Sequence, residues 1–251
     1  MKISPRQKLL HEHRPENIAR RLDQPPRPER MSDLVLGAID GCITTFAIVS
    51  GAFGAGFSPL VVLVMGVANL LADGVSMAVS NYEAVNAQQR FAEHARRTEE
   101  QHIRLVPEGE REEIRQIFAG KGFSGENLEH IVDTVTADRT LWVDTMLSEE
   151  YGLSLIDPNP LASAWWTFVA FVLVGLIPLL PFFFNGENFT QKFAISTALA
   201  GLVFFSIGLL KGWVFQSSLW RAGLGTFLLG STAAGIAFAV GYLLQGMFGV
   251  A

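Results

Sequence analysis

The sequence predicts an all-α integral membrane protein with five transmembrane helices and an acidic cytoplasmic helical insert between spans two and three. Three observations carry this prediction. Hydrophobic residues make up 49% of the 251-residue chain and charged residues 17%, with 24 glycines, a mix that suits a polytopic membrane protein better than a soluble enzyme. Cations are confined: eight of the 19 Lys and Arg lie in residues 1–30 and eight more between Arg90 and Arg139, leaving Lys192, Lys211 and Arg221 for the rest. The net charge of −5 arises mainly in residues 81–160, where 16 Asp and Glu outnumber eight Lys and Arg. Nucleic acid is therefore not an expected partner.

Each element follows in order. Residues 1–33 form a basic cytoplasmic arm, too polar and proline-containing to read as a signal peptide. Residues 34–57 hold a single charge, Asp40, and suffice to cross ~30 Å of hydrocarbon at ~1.5 Å per residue. After Ser58 and Pro59 a second apolar run reaches residue 80, so transmembrane helices one and two occupy 34–80 as antiparallel neighbours. Gly37, Gly41, Gly51, Gly66, Ala68 and Gly74 are expected to let them approach closely. From Asn81 the chain turns polar with no proline or glycine before Pro107, which predicts that span two leaves the membrane as one long helix.

Within the insert, 81–160, a short helix after Pro107 ends at glycine, and 124–152 forms one or two more. Ile114, Ile117, Phe118, Leu128, Ile131, Val132 and Val135 supply the apolar faces of a small bundle. Pro158 and Pro160 mark the return to the membrane. Span three, 161–184, carries Trp165 and Trp166 at one interface and is bent at its far end by Pro178 and Pro181. Span four is 193–210, and span five starts at Arg221. The arm, the insert and the Lys211 to Arg221 loop then share one face, which the positive-inside rule makes cytoplasmic, with the carboxyl terminus opposite. The expected location is a bacterial inner membrane. The single Cys42 offers neither a disulfide framework nor a cysteine metal cluster.

Chemistry enters where polar groups interrupt the spans. Asp40 and Asp73 are the acids inside the apolar runs, with Asp33 at their boundary, and a mid-membrane aspartate costs about 2.5 to 3.5 kcal/mol. A carboxylate kept at that cost usually faces a water-filled path, a cation or a proton relay. The alternative is a pair of acids near the headgroups, or protonated acids that only cross-link helices. Asn69, Asp73 and Met77 recur at spacings of four, so one helical face carries an amide, a carboxylate and a thioether. Oxygen ligands with one soft thioether suit Fe²⁺ or Mn²⁺ better than Mg²⁺ or Ca²⁺.

The insert has spacing signals of its own. Glu99 and His102 are three apart, Glu110 and Glu113 three apart, and Met146 and Glu150 four apart, so each pair projects from one face. Together they make either a carboxylate-rich metal site, similar in ligand type to di-iron bundles, or a solvated acidic surface. Glu100, Glu108, Glu112 and Glu149 are equally well spaced competitors.

The runs DLVLGAIDGCITTFAIVSGAFGAG and GVANLLADGVSMAVSNYEAV, followed by TEEQHIRLVPEGEREEIRQIFAGKGF, resemble the vacuolar iron transporter family, whose members move Fe²⁺ and often Mn²⁺. The resemblance implies a homodimer of five-span subunits with a central pathway lined by the first two helices, coupling metal movement out of the cytosol to inward proton flow. It implies no enzyme activity and no prosthetic group, with Fe²⁺ or Mn²⁺ bound as substrate. Asp33 matches an acid at the cytoplasmic entrance, Asp40 the mid-helix aspartate and Met77 a pathway methionine. Glu99, Glu110, Glu113, Met146 and Glu150 match metal positions of the insert, and His102 stands where glutamate is common. The chain departs from the pattern at Ser80-Asn81-Tyr82, where Gly-Glu-Tyr is usual, and Glu83 then reaches the pathway only from another helix face. Leu147 stands where a second methionine can occur. Three other readings remain open from sequence: a membrane metal sensor without flux, a membrane di-iron redox enzyme, and a sodium or calcium exchanger, which would leave Met77 unexplained.

Overall fold

The computed structural model describes residues 5–22, 29–154, 159–184, 188–214 and 216–249. Pro158, one of the two prolines at the return to the membrane, and parts of the arm (1–4 and 23–28) lie outside them. All regular elements among the described residues are helical. The arm is more ordered than its polarity suggests, with α1 (Pro5–Glu12) and α2 (Pro15–Leu22) each opening on a proline, a residue whose fixed φ and missing N–H suit a first helical position.

Helix α3 (Glu29–Gly54) starts upstream of the apolar run and stops at the turn where Gly56 takes φ +72°. Helix α4 (Pro59–Leu105) then runs for 47 residues, ~70 Å at ~1.5 Å per residue. The Ser58 hydroxyl accepts from the Val61 N–H at its start, and Pro107 forces its end because a proline excludes the preceding residue from helical conformation. The predicted single long helix is therefore found.

Beyond it come α5 (Pro107–Gly120), α6 (Gly125–Ala137) and α7 (Arg139–Glu149). The split between α6 and α7 falls at Asp138, whose carboxylate accepts from the N–H groups of Thr140 and Leu141; this is an N-cap, and it decides for two helices over one. Ile114, Leu128, Val132, Val135, Trp142 and Met146 form the core of this bundle. Ala95, Val143 and Leu147 make a second apolar contact that clamps α7 onto α4, helped by the Arg96–Asp144 ion pair at 2.5 Å. Leu147 thus has a packing role.

The membrane half continues with α8 (Pro160–Gly175), a 3-10 segment (Ile177–Phe183) bent from it by 45°, α9 (Phe189–Val214) and α10 (Leu219–Phe248). Pro178 and Pro181 sit in the bent segment, as expected. Asn188 and Gln191 exchange side-chain to backbone hydrogen bonds of 2.9 and 3.2 Å, a reciprocal cap that starts α9 four residues before its apolar run. Among the described residues, four helices (α3, α4, α9, α10) are long and apolar enough to cross a membrane, and the bent pair adds a fifth if it is one span.

Packing corrects one expectation. The glycines of spans one and two do not serve mainly to join those two helices. A Cβ at Gly37 would lie 2.2 Å from the Thr167 carbonyl oxygen and one at Gly41 2.3 Å from that of Phe171, both on α8. Gly51 faces Ala237 of α10, Gly66 faces Leu179, Gly74 faces Phe168 and Phe171, and Ala68 is exposed. Helix α3 is thus the central post of the bundle, gripped by α8 and α10, with α4 lying beside it and α8. Backbone cannot yield as a side chain can, so Gly41→Leu should cost well beyond the ~1 to 3 kcal/mol usual for overpacking. Its signature is loss of the monodisperse peak in detergent, whereas Gly225→Ala, with nothing within 4 Å, keeps the wild-type melting temperature.

Candidate metal pathway and cytoplasmic metal site

Where α4 ends and α5 turns back at Val106, Glu99 and His102 of α4 come beside Glu110 of α5. His102 Nδ1 lies 3.3 Å from Glu110 Oε1 and 3.9 Å from Glu99 Oε1, and one ligand atom from each residue falls within 4.8 Å of the others. Glu99 and Glu110 are 1% and 4% exposed, whereas His102 is open to solvent. One oxygen of each glutamate, Glu99 Oε2 and Glu110 Oε2, is buried without a hydrogen-bond partner. Two desolvated carboxylates with free oxygens are unfavourable unless a proton or a cation joins them.

The electrostatics agree with the geometry. Burial first, then the charges of Glu99, Glu113 and Glu150, push the Glu110 carboxyl up to about 8. Glu150 is raised by burial and by Glu99 and Glu113, with His102 opposing. Tyr151, absent from the sequence reading, donates its hydroxyl to Glu99 Oε1 at 3.0 Å; burial and this bond push the phenol up to about 12. Glu112, by contrast, is held low by hydrogen bonds from Gln116 and Arg115, and Glu149 pairs with Lys121 at 2.5 Å. These two competitors are neutralised elsewhere. Glu113 acts on the cluster through its charge from an exposed position. The Met146/Glu150 pair is divided: Met146 is fully buried in the apolar core with Ile114 and Trp142, and Glu150 is exposed at the end of α7.

In the spans, Asp40 on α3 and Asp73 on α4 are both partly buried and close enough for their charges to interact. Asn69, Asp73 and Met77 share a partly buried face of α4; Asn69 Nδ2 is buried without a partner and Met77 packs on the membrane core. Asp33 is 7% exposed, and the Asn81 side-chain amide donates to its Oδ1 at 2.9 Å and to Thr167 Oγ1 at 2.8 Å. In the sequence Asn81 stands out only as a departure from the family pattern. Glu83 is exposed and takes no part in this contact.

Membrane-length helices, acids on two of them and a helical region bearing buried glutamates are the features of a polytopic membrane protein whose donor groups suit a cation. A model of the VIT family matches residues 31–242. The chain is 31% identical over 226 residues to the vacuolar iron transporter of Plasmodium berghei, covering 86% of this chain and 83% of that protein. It is 32% identical over 221 residues to the vacuolar iron transporter of Toxoplasma gondii, covering 84% and 73%. To vacuolar iron transporter 1 of Eucalyptus grandis it is 30% identical over 243 residues, covering 95% and 93%. The chain belongs to the VIT family.

Proposed function

We propose that the protein is a transporter, not an enzyme, that moves Fe²⁺ or Mn²⁺ out of the cytosol by exchange with protons, as a homodimer. The observation that carries this is the placement of Asp40 and Asp73 on adjacent apolar helices, within range of each other's charge, with Met77 one turn from Asp73. Relatives named as vacuolar iron transporters support the same cargo. In this reading five spans place the arm and the insert in the cytoplasm and the carboxyl terminus opposite. Pairing of two subunits along α4 is part of the same proposal: its exposed apolar face, including Leu60, Val64, Leu71, Val75 and Val79, is one that a second subunit or lipid can cover. The relatives cited are eukaryotic; a bacterial inner membrane is the location proposed, and cell fractionation tests it.

The insert gathers metal first. Glu99, His102 and Glu110 offer oxygen and nitrogen ligands, with Glu113 and Glu150 adding negative potential. The cation then passes Asp33 and reaches Asp40, Asn69, Asp73 and Met77. Protons arriving from the opposite side neutralise the carboxylates, and a neutral acid is a poor ligand, so metal is released. In a dimer the two Asp40 residues would titrate as a unit.

Reconstituted vesicles test the reading directly: Fe²⁺ and Mn²⁺ uptake, each with and without an imposed proton gradient. Metal binding with no flux above empty vesicles would replace the transporter by a sensor. The insert has its own test in Tyr151→Phe, which removes one hydroxyl. Its expected effect is a loss of about tenfold in metal affinity, the lower end for partners that orient ligands, with a small fall in melting temperature because Glu99 Oε1 loses its donor. Calorimetric titration of the full-length protein reads it, and wild-type affinity would leave Tyr151 without a role.

A further inference from the structure

We infer that Asn81 is a positioning residue of the cytoplasmic mouth, holding Asp33 by one oxygen so that the other is presented to the arriving cation. The inference rests on the proposed pathway and extends it. Asn81 continues the α4 stripe at the same spacing of four: Asn69, Asp73, Met77, Asn81. On α3 the acids Asp33 and Asp40 are seven apart, about two turns. The helices run antiparallel, so Asp40 comes within range of the Asp73 charge deeper in the bundle and Asp33 is bonded to Asn81 nearer the cytoplasm. The two stripes are therefore in register over both levels.

Hydrogen-bond accounting sets the orientation of the amide. Its two N–H groups go to Asp33 Oδ1 at 2.9 Å and Thr167 Oγ1 at 2.8 Å, and the Thr167 hydroxyl itself donates to the Ser163 carbonyl at 2.9 Å. A flipped amide would turn its oxygen toward the carboxylate and toward a hydroxyl whose proton is already used, so the observed orientation is the one that satisfies the site. Asp33 Oδ2 remains buried with no partner. A carboxylate clamped on one side and bare on the other has one direction left for a ligand. Thr167 is fully buried on α8, so the clamp also ties a helix outside the pathway stripe to the mouth.

The experiment is metal uptake into proteoliposomes with Mn²⁺ as probe, run over a concentration series for wild type, Asn81→Ala, Thr167→Val, Thr167→Ser, Asp33→Asn and the double variant Asp33→Asn/Asn81→Ala. Asn81→Ala is expected to raise the half-saturating metal concentration by about tenfold with the maximal rate within about twofold. Thr167→Val moves it in the same direction by less, and Thr167→Ser, which keeps the hydroxyl, restores wild type. Asp33→Asn raises it at least as much as Asn81→Ala, and the double variant is no worse than Asp33→Asn alone, because Asn81 acts through that carboxylate. Multiplying effects in the double variant overturn the positioning role. Wild-type kinetics for Asn81→Ala beside an impaired Asp33→Asn also overturn it, while leaving the pathway in place. Wild-type kinetics for Asp33→Asn remove Asp33 from the pathway altogether. If Asn81→Ala fails to yield folded protein, the Thr167 pair carries the same comparison.

Discussion

Asp40→Ala should lower metal flux in reconstituted vesicles by about a hundredfold or more, a deficit of ~2.8 kcal/mol at ~1.4 kcal/mol per factor of ten. The fold should survive. Asp40 lies on α3 with its side chain partly buried, and the hydrogen bond recorded at this residue, from Thr44 Oγ1 at 2.9 Å, goes to its backbone carbonyl. The charge of Asp73 opposes its own, so truncation relieves repulsion and removes a costly intramembrane carboxylate. Structural and functional effects therefore have opposite signs. The variant should elute as wild type, melt no lower, and still bind metal through its insert, yet fail to transport. Flux at the wild-type rate would sink the proposed pathway, and Asp40→Asn, which keeps shape while removing charge, separates ligand loss from any packing defect.

Glu110→Gln should also strengthen the empty protein while weakening its hold on metal. The Glu110 carboxyl titrates near 4.5 when unfolded and is raised to about 8 in the fold by burial and by Glu99, Glu113 and Glu150. Between those values the folded state holds a proton that the unfolded state has released. The stabilisation associated with this group is therefore fully present below pH 4.5 and is lost as pH rises through about 8. Metal reverses the trend, because the cation takes the deprotonated ligand and expels the proton, so affinity should climb by up to about tenfold per pH unit below 8. Glu150, raised for related reasons, adds in the same sense. Glu110→Gln removes most of the pH slope, raises the melting temperature of the metal-free protein at pH 8.5, and lowers metal affinity by more than about tenfold. Thermal melts and calorimetric titrations of full-length protein at pH 5.5, 7 and 8.5 check all three. A metal affinity in the wild type that is flat from pH 6 to 8 would exclude Glu110 as the proton-releasing ligand.

Much of the architecture was legible in the sequence because its signals are local. An apolar run long enough for a bilayer predicts a span wherever the chain carries it. The continuity of α4 followed from the lack of a proline or glycine between Asn81 and Pro107, and the bend after α8 followed from Pro178 and Pro181. The pairing of Glu99 with His102 and the stripe of Asn69, Asp73 and Met77 followed from helical periodicity. Periodicity states which residues share a face, and it is silent on what that face meets.

The tertiary structure decided the partners. Glu110 and Glu112 lie two residues apart on α5, yet one is buried beside Glu99 and the other is taken by Arg115 and Gln116. Gly37 and Gly41 read as contacts for span two until the α8 backbone is found against them. Asn81 read as a missing glutamate, but Asp33 and Thr167, 48 and 86 residues distant in sequence, give its amide a full set of acceptors. Tyr151 carried no spacing signal, since its partner Glu99 is 52 residues away. By itself the sequence determined the helices and the chemistry along each face; tertiary packing selected which carboxylates lose water, because desolvation and hydrogen-bond satisfaction depend on groups that only the folded chain brings together.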